Sequence, residues 1–155
     1  MIEAWRITKT DDARKAFSGD GARLYGGRWN SKGIAAVYTA ATRSLAMLEI
    51  LVHMKNTQQV GTLIPYMLFS ALFDERLVQE IQARSLPADW DIEPPTDSTR
   101  SVGDAWVSAA SSAVLSVPSV IVPEERNYIL NPNHSQFNDI TFGPPVPCKF
   151  DPRLL

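Results

Sequence analysis

From Gly26 to His53 the chain reads GGRWNSKGIAAVYTAATRSLAMLEILVH, and no other stretch restricts the fold as much. A glycine-flanked arginine loop leads into a short extended run at Ala35–Thr39. An apolar helix follows over Arg43–Lys55, with Thr42 placed to cap its first turn. Leu45, Met47, Leu48, Ile50, Leu51 and Val52 surround most of that helix, which predicts a largely buried element. Glu49 lies in its middle. A buried carboxylate is costly unless a cation or a ligand bonds it. Glu49, the loop residue Arg28 and the nearby Tyr38 therefore look more like a site than like scaffolding.

The flanking segments mix strands and helices without regular βαβ alternation, which favours an α+β class. Ile2–Thr8 alternates and predicts a strand, and Asp11–Phe17 a short helix with an Asp cap. Ser18–Gly27 reads as glycine-rich loop. Thr62–Ala71 is rich in strand formers, and Glu75–Arg84 predicts a short amphipathic helix stopped before Pro87. Leu86–Asp97, with three prolines, predicts a loop. Thr99–Ser112 predicts a helix packed through Val102, Trp106 and Ala109. Ala113–Val122 and Tyr128–Leu130 read as strands cut by Pro118 and Pro123. Ile140–Phe150 carries Pro144, Pro145 and Pro147 and suits an edge strand.

A length of 155 residues suits one domain with one core, residues 1–155. No run of ~18 apolar residues is present, which argues against a membrane span. The N-terminal residues lack the basic-then-apolar pattern of a signal peptide. The single cysteine, Cys148, excludes a disulfide framework and a cysteine-rich zinc site. His53, His134 and Cys148 have no metal-ligand spacing, so no metal site is expected. These features together place the chain in the cytoplasm.

Charge is unevenly spread. Residues 1–60 carry a balance of +4 and residues 61–155 a balance of −6. Arg6, Arg14, Arg23 and Arg28 lie near glycines or aromatics and could serve a small phosphorylated ligand. The dense basic patch with interleaved aromatics that a nucleic-acid surface needs is missing.

Each candidate has a structural alternative. Arg28, in Gly26-Gly27-Arg28-Trp29-Asn30, offers a planar fork suited to phosphate or carboxylate, or simply stacks on Trp29. Glu49 serves a ligand, pairs with an arginine, or pairs with His53 one turn on. Tyr38 is a core tyrosine or an aromatic wall for a flat ring. Ser119 lies between Pro118 and Pro123 and carries little signal alone. The amide-rich run Asn127–His134 equally suits turn closure. No Gly-x-Ser-x-Gly elbow, Gly-x-Gly-x-x-Gly after a strand, or Walker loop occurs.

Taken together, the segments resemble the RES domain, the toxin half of bacterial Xre–RES toxin–antitoxin modules. The likeness begins at Trp5-Arg6-Ile7 and strengthens at Gly26-Gly27-Arg28-Trp29-Asn30, Gly33 and Val37-Tyr38-Thr39-Ala40. It continues through Leu45-Ala46-Met47-Leu48-Glu49, resumes at Val117-Pro118-Ser119 and Pro123-Glu124-Glu125-Arg126-Asn127, and ends at Asn131-Pro132 and His134. The family's arginine, glutamate and serine map to Arg28, Glu49 and Ser119, with Ser108, Ser111, Ser112 and Ser116 close to the last.

The resemblance implies a compact α+β fold similar to ADP-ribosyltransferase toxins and a toxin that degrades NAD by hydrolysis or phosphorolysis. NAD is then substrate rather than cofactor, and inorganic phosphate a potential co-substrate. Catalysis falls to Glu49, Arg28 and Ser119, and substrate binding to Arg6, Arg28, Tyr38 and Asn127. Glu49 would stabilise the positive charge of an oxocarbenium-like state. Arg28 with Arg6 would hold the pyrophosphate, Tyr38 would stack on nicotinamide or ribose, and Ser119 would bond ribose or fix Glu49. The implied partner is an Xre-type helix-turn-helix antitoxin, through which alone the chain meets DNA, and a homodimer within that complex is allowed. An acidic segment or the C-terminal carboxylate of this partner is expected to block an exposed basic mouth at Arg6, Arg23 and Arg28. Competing readings are ADP-ribosyl transfer to a protein, RNA cleavage, and a non-catalytic binding protein.

Overall fold

The computed structural model describes residues 1–56 and 65–154, the side chains of residues 55 and 56 excepted. The predicted strand segment at residues 62–64 lies outside the described residues. Among the described residues eight strands form one sheet: β1 (Ile2–Thr8), β2 (Val37–Ala40), β3 (Tyr66–Phe73), β4 (Val78–Glu80), β5 (Val114–Pro118), β6 (Arg126–Leu130), β7 (Thr141–Phe142) and β8 (Val146–Cys148). Their order is β4-β5-β6-β2-β1-β3-β7, with β8 also on β3. The β4–β5 pair is parallel, and the other pairs are antiparallel.

Strand alternation builds a core on each face of the sheet. Ala4, Val37, Phe69, Ala71, Phe73, Val114 and Leu130 face one side, where they meet Ala16 and Phe17. On the other side Ile7 and Ala40 pack under the helix residues Leu45, Ala46, Leu51 and Met54. Further along that face, Leu115, Val117 and Ile129 meet Trp29 and Trp106.

Among the described residues the α-helices are α1 (Ala13–Ala16), α2 (Asp20–Tyr25), α3 (Arg43–Asn56) and α4 (Asp97–Ala109). Both predicted caps are made. Asp12 accepts the Arg14 N–H at 2.9 Å, and Thr42 Oγ1 accepts the Leu45 N–H at 3.0 Å. No helix among the described residues is long and apolar enough to cross a membrane.

Several expectations are corrected. Ser18–Gly27 contains α2, because its glycines delimit a helix instead of dissolving it. Gly19 and Gly26 take φ of +75° and +73°, values natural only to glycine, at the two ends. The helix predicted over Glu75–Arg84 is a 3-10 turn (Glu75–Leu77), strand β4 and a second turn (Ala83–Ser85). Leu77 enters the core, and the open edge of β5 offers Val78–Glu80 a ladder that a short isolated helix cannot match. Ala109 is exposed, since α4 ends there with Ala110 in a left-handed turn at φ 49°. The Ile140–Phe150 edge is split by its prolines into β7 and β8, both on β3. The Leu86–Asp97 segment is irregular up to α4 apart from a few turns, as its prolines predict.

Candidate active site

Helix α3 is buried on one face only. Leu45, Ala46, Leu51 and Met54 are buried, whereas Leu48 and Val52, 40% and 42% exposed, face outward. The expectation of a largely buried helix is therefore corrected: apolar composition hid an open stripe of Ser44, Leu48 and Val52. Glu49 sits at the margin of the packed face, half-buried.

The sheet brings its partners to it. Trp5 pairs with Ala40, Ala40 with Asn127, and Asn127 with Val117, a row across four strands. Asn127 Nδ2 donates to Glu49 Oε1 at 2.7 Å. Ser119, fully buried just past β5, donates its hydroxyl to the same oxygen at 3.1 Å. Ser119 Oγ also accepts the N–H groups of Ile121 and Val122, at 3.1 and 3.2 Å. Its lone pairs are thus spent on the turn, and its proton on Glu49. Of the neighbouring serines, Ser111, Ser112 and Ser116 bond Gln79, the Val114 carbonyl and Arg126. Among the described residues Glu49 Oε2 has no partner, and Asn127 Oδ1 is buried without one.

Tyr38 stands on the same face. It pairs with Ile129 across β2–β6, which makes it a diagonal neighbour of Asn127, roughly 7–8 Å away. Its hydroxyl donates to Asn30 Oδ1 at 2.6 Å and accepts the Trp29 N–H at 3.0 Å. Burial raises the Tyr38 phenol above its ordinary value, so it remains a neutral donor. The Asn30 amide nitrogen donates to the carbonyls of Ala22 and Ile34, at 2.8 and 2.9 Å. With 0% exposure, Asn30 is the hub of the arginine loop. Helix α4 braces that loop: Asp104 accepts the Ser31 N–H at 2.9 Å, and Gly103 lies directly against the Trp29 carbonyl.

Arg28 leaves this loop toward residues 90–93. Nη1 donates to the carbonyls of Trp90 and Ile92, at 3.0 and 2.8 Å, and Nη2 pairs with Glu93 at 2.7 Å. Its side chain is 12% exposed.

Arg6 lies where β1 and β2 part after their single pairing at Trp5–Ala40. Nε donates to the Ala16 carbonyl at 2.6 Å and Nη1 to the Tyr38 carbonyl at 3.0 Å. Burial pushes the Arg6 guanidinium down to about 10, and among the described residues no carboxylate pairs with it. Arg6 lines a cavity of about 340 Å³ with Thr8, Ile50, His53 and Tyr66. His53 is one helical turn beyond Glu49 on the same side of α3, while Glu49, Tyr38 and Asn127 are not among the residues that line the cavity. The expected exposed basic mouth is corrected. Arg6 and Arg28 are turned inward onto backbone carbonyls, and Arg23 pairs with Asp20 at 3.4 Å.

Residue-type patterns missed Asn30 as a hub and gave no warning of Glu93. Gly103, in the middle of a helical pattern, was a readable sign of close backbone approach.

The RES domain family model matches residues 3–151. "Toxin Res" of Yersinia enterocolitica is 38% identical over 151 residues, covering 97% of each chain. A Sphingobium protein named "Prs ADP-ribosylating toxin" is 38% identical over 155 residues, covering 97% of this chain and 95% of that one. Among solved structures, the M. tuberculosis MbcT–MbcA toxin–antitoxin complex contains a chain that matches with a TM-score of 0.77 at 19% identity. The match covers 95% of this chain and 84% of that one. The fold is therefore the expected α+β architecture, shared with that toxin–antitoxin structure. With a family match across nearly its whole length and relatives this similar, the chain belongs to the RES domain family.

Proposed function

We propose that this chain is the toxin of a toxin–antitoxin pair and that it consumes NAD by breaking the nicotinamide–ribose bond. The observation that carries this reading is the posture of Glu49. Ser119 and Asn127 hold one carboxylate oxygen, and the other has no partner among the described residues. A carboxylate fixed in this way is preorganised for a positive charge that develops in front of it.

Nicotinamide in NAD is already a cationic leaving group, so bond breaking needs no strong general acid. The glycosidic electron pair leaves with nicotinamide, and positive charge grows on the ribose as in glycoside hydrolysis. Oε2 of Glu49 would accept a ribose hydroxyl and stabilise that charge. Ser119 acts through Glu49 as a positioning residue, because its own lone pairs are occupied. Arg6, cationic and without a carboxylate partner, would take a phosphate of the pyrophosphate. Arg28 would take the other after exchanging its present partner, and Tyr38 would border the nicotinamide ribose. Water adding to the anomeric carbon yields ADP-ribose, nicotinamide and a proton. Inorganic phosphate adding there yields the 1-phosphate of ADP-ribose instead.

Incubating purified protein with NAD, with and without phosphate, and identifying the products by mass spectrometry tests the reading. Free nicotinamide with ADP-ribose, or with its phosphorylated form, supports it, and intact NAD contradicts it. A second reading, ADP-ribosyl transfer to a protein, is favoured by the name of the Sphingobium relative. Label passing from NAD to protein would select it.

The restraining partner is an antitoxin, in keeping with the toxin–antitoxin complex to which the fold is similar. We assign it the Xre helix-turn-helix type, which would carry any contact with DNA. Both chains would act in the cytoplasm.

A further inference from the structure

Arg28 makes its three side-chain bonds to one short arc, residues 90–93. The arc is tied toward α4 on both of its sides. Asp89 accepts the hydroxyls of Thr96 and Ser98, at 2.9 and 2.7 Å, and Arg100 bonds the Pro95 carbonyl at 3.0 Å. Between these ties Asp91, Ile92, Glu93 and Pro94 are exposed and bury little apolar surface. Apart from local turns within the loop, Arg28 supplies the hydrogen bonds that hold the arc to the body among the described residues.

This pairing conflicts with anion binding. The Glu93 carboxylate sits 2.7 Å from Nη2 and neutralises the guanidinium. A diphosphate approaching Arg28 meets a like charge at contact distance, which opposes binding. Arg28 cannot grip the ligand while Glu93 stays. Glu93 is the exposed member of the pair, its side chain 60% exposed against 12% for Arg28, so its carboxylate can exchange Arg28 for water while Arg28 stays in place. Among the described residues Arg6 has no such competitor, so the two arginines are not equivalent.

We propose that Glu93 is a built-in competitor for the substrate's diphosphate, which must take its place on Arg28, so that residues 90–93 form a gate opened by anion exchange. The proposal rests on the reading of NAD as substrate. It assigns Glu93 the setting of substrate affinity, with no part in bond breaking.

Glu93→Gln keeps the size of the side chain and removes its charge. The expected result is a KM for NAD about threefold to fivefold lower, with kcat within about twofold of the wild type. Affinity for ADP-ribose by calorimetry should rise by a similar factor. Glu75→Gln, at a remote exposed carboxylate, should change neither. Saturating ADP-ribose should also speed amide exchange at residues 90–93 in the wild type. Unchanged KM and ADP-ribose affinity in a folded Glu93→Gln protein would overturn the proposal. So would a raised KM, which would make Glu93 a support that positions Arg28. If the wild type neither cleaves NAD nor binds ADP-ribose, the NAD reading fails on its own. Inorganic pyrophosphate then tests the gate: tighter binding by Glu93→Gln upholds it, and equal binding rejects it.

Discussion

Asn127 and Glu49 lie 78 positions apart in the chain, and Asn127 Nδ2 meets Glu49 Oε1 at 2.7 Å. Ser119 reaches the same oxygen at 3.1 Å. Two donors on one oxygen orient the carboxylate and leave its second oxygen for a ligand.

That geometry predicts different losses at the two donors. Ser119→Ala removes one donor to Glu49 and the acceptor of two part-buried N–H groups. It should lower stability by about 1–3 kcal/mol and reduce NAD turnover by about tenfold or more, through kcat. Asn127→Ala removes the shorter bond and should reduce kcat at least as much, with less loss in melting temperature, since its Oδ1 already lacks a partner. Chemical denaturation beside steady-state kinetics separates the two effects. Unchanged kcat in both variants would remove the positioning role.

Gly103→Ala should be among the most damaging small substitutions. A Cβ at this position would sit 1.6 Å from the Trp29 carbonyl oxygen, which is backbone and cannot rotate away. Overpacking of this kind costs about 1–3 kcal/mol or more, and the strain falls on the loop that carries Arg28. Thermal melting checks it. A wild-type melting temperature would mean that α4 and the loop are not in this contact.

Tyr38 predicts a dependence on alkaline pH. Burial raises its folded-state value above the ordinary value of about 10, so the fold favours the neutral phenol. The resulting stability is fully present below about pH 10 and is lost as pH rises toward the folded-state value. Tyr38→Phe should be less stable at neutral pH by about 1–3 kcal/mol, because Asn30 Oδ1 loses its donor. Its stability should also fall less steeply above pH 10. Parallel stability curves for the two proteins from pH 8 to 11 would contradict this role.

Expressed alone, the chain should stop growth and deplete cellular NAD, and a co-expressed Xre-type antitoxin should rescue both. Growth arrest with NAD at its normal level would favour RNA cleavage or protein modification instead.

Local rules carried much of the fold. Strand β1, the Asp12 and Thr42 caps and the proline-broken edge of β7 and β8 follow from alternation, capping and proline chemistry. Tertiary pairing decided the rest. Nothing local to Val78–Glu80 announces a parallel partner in β5, and α2 hides between glycines that read as loop. The site follows the same division. Glu49 stood out because a charge interrupts an apolar helix. The sheet register, which no local pattern encodes, brings Asn127 and Ser119 to it. Glu93 lies in an aperiodic loop, so its hold on Arg28 was not legible from residue type or spacing.

The most direct test of the central claim is nicotinamide release from NAD by the purified wild type and by Glu49→Gln. The variant keeps the size and hydrogen-bonding capacity of residue 49 and loses only its charge. The account predicts nicotinamide release by the wild type and a rate lower by about 100-fold or more in a folded Glu49→Gln protein. NAD left intact by the wild type, or equal release by the two proteins, would contradict it.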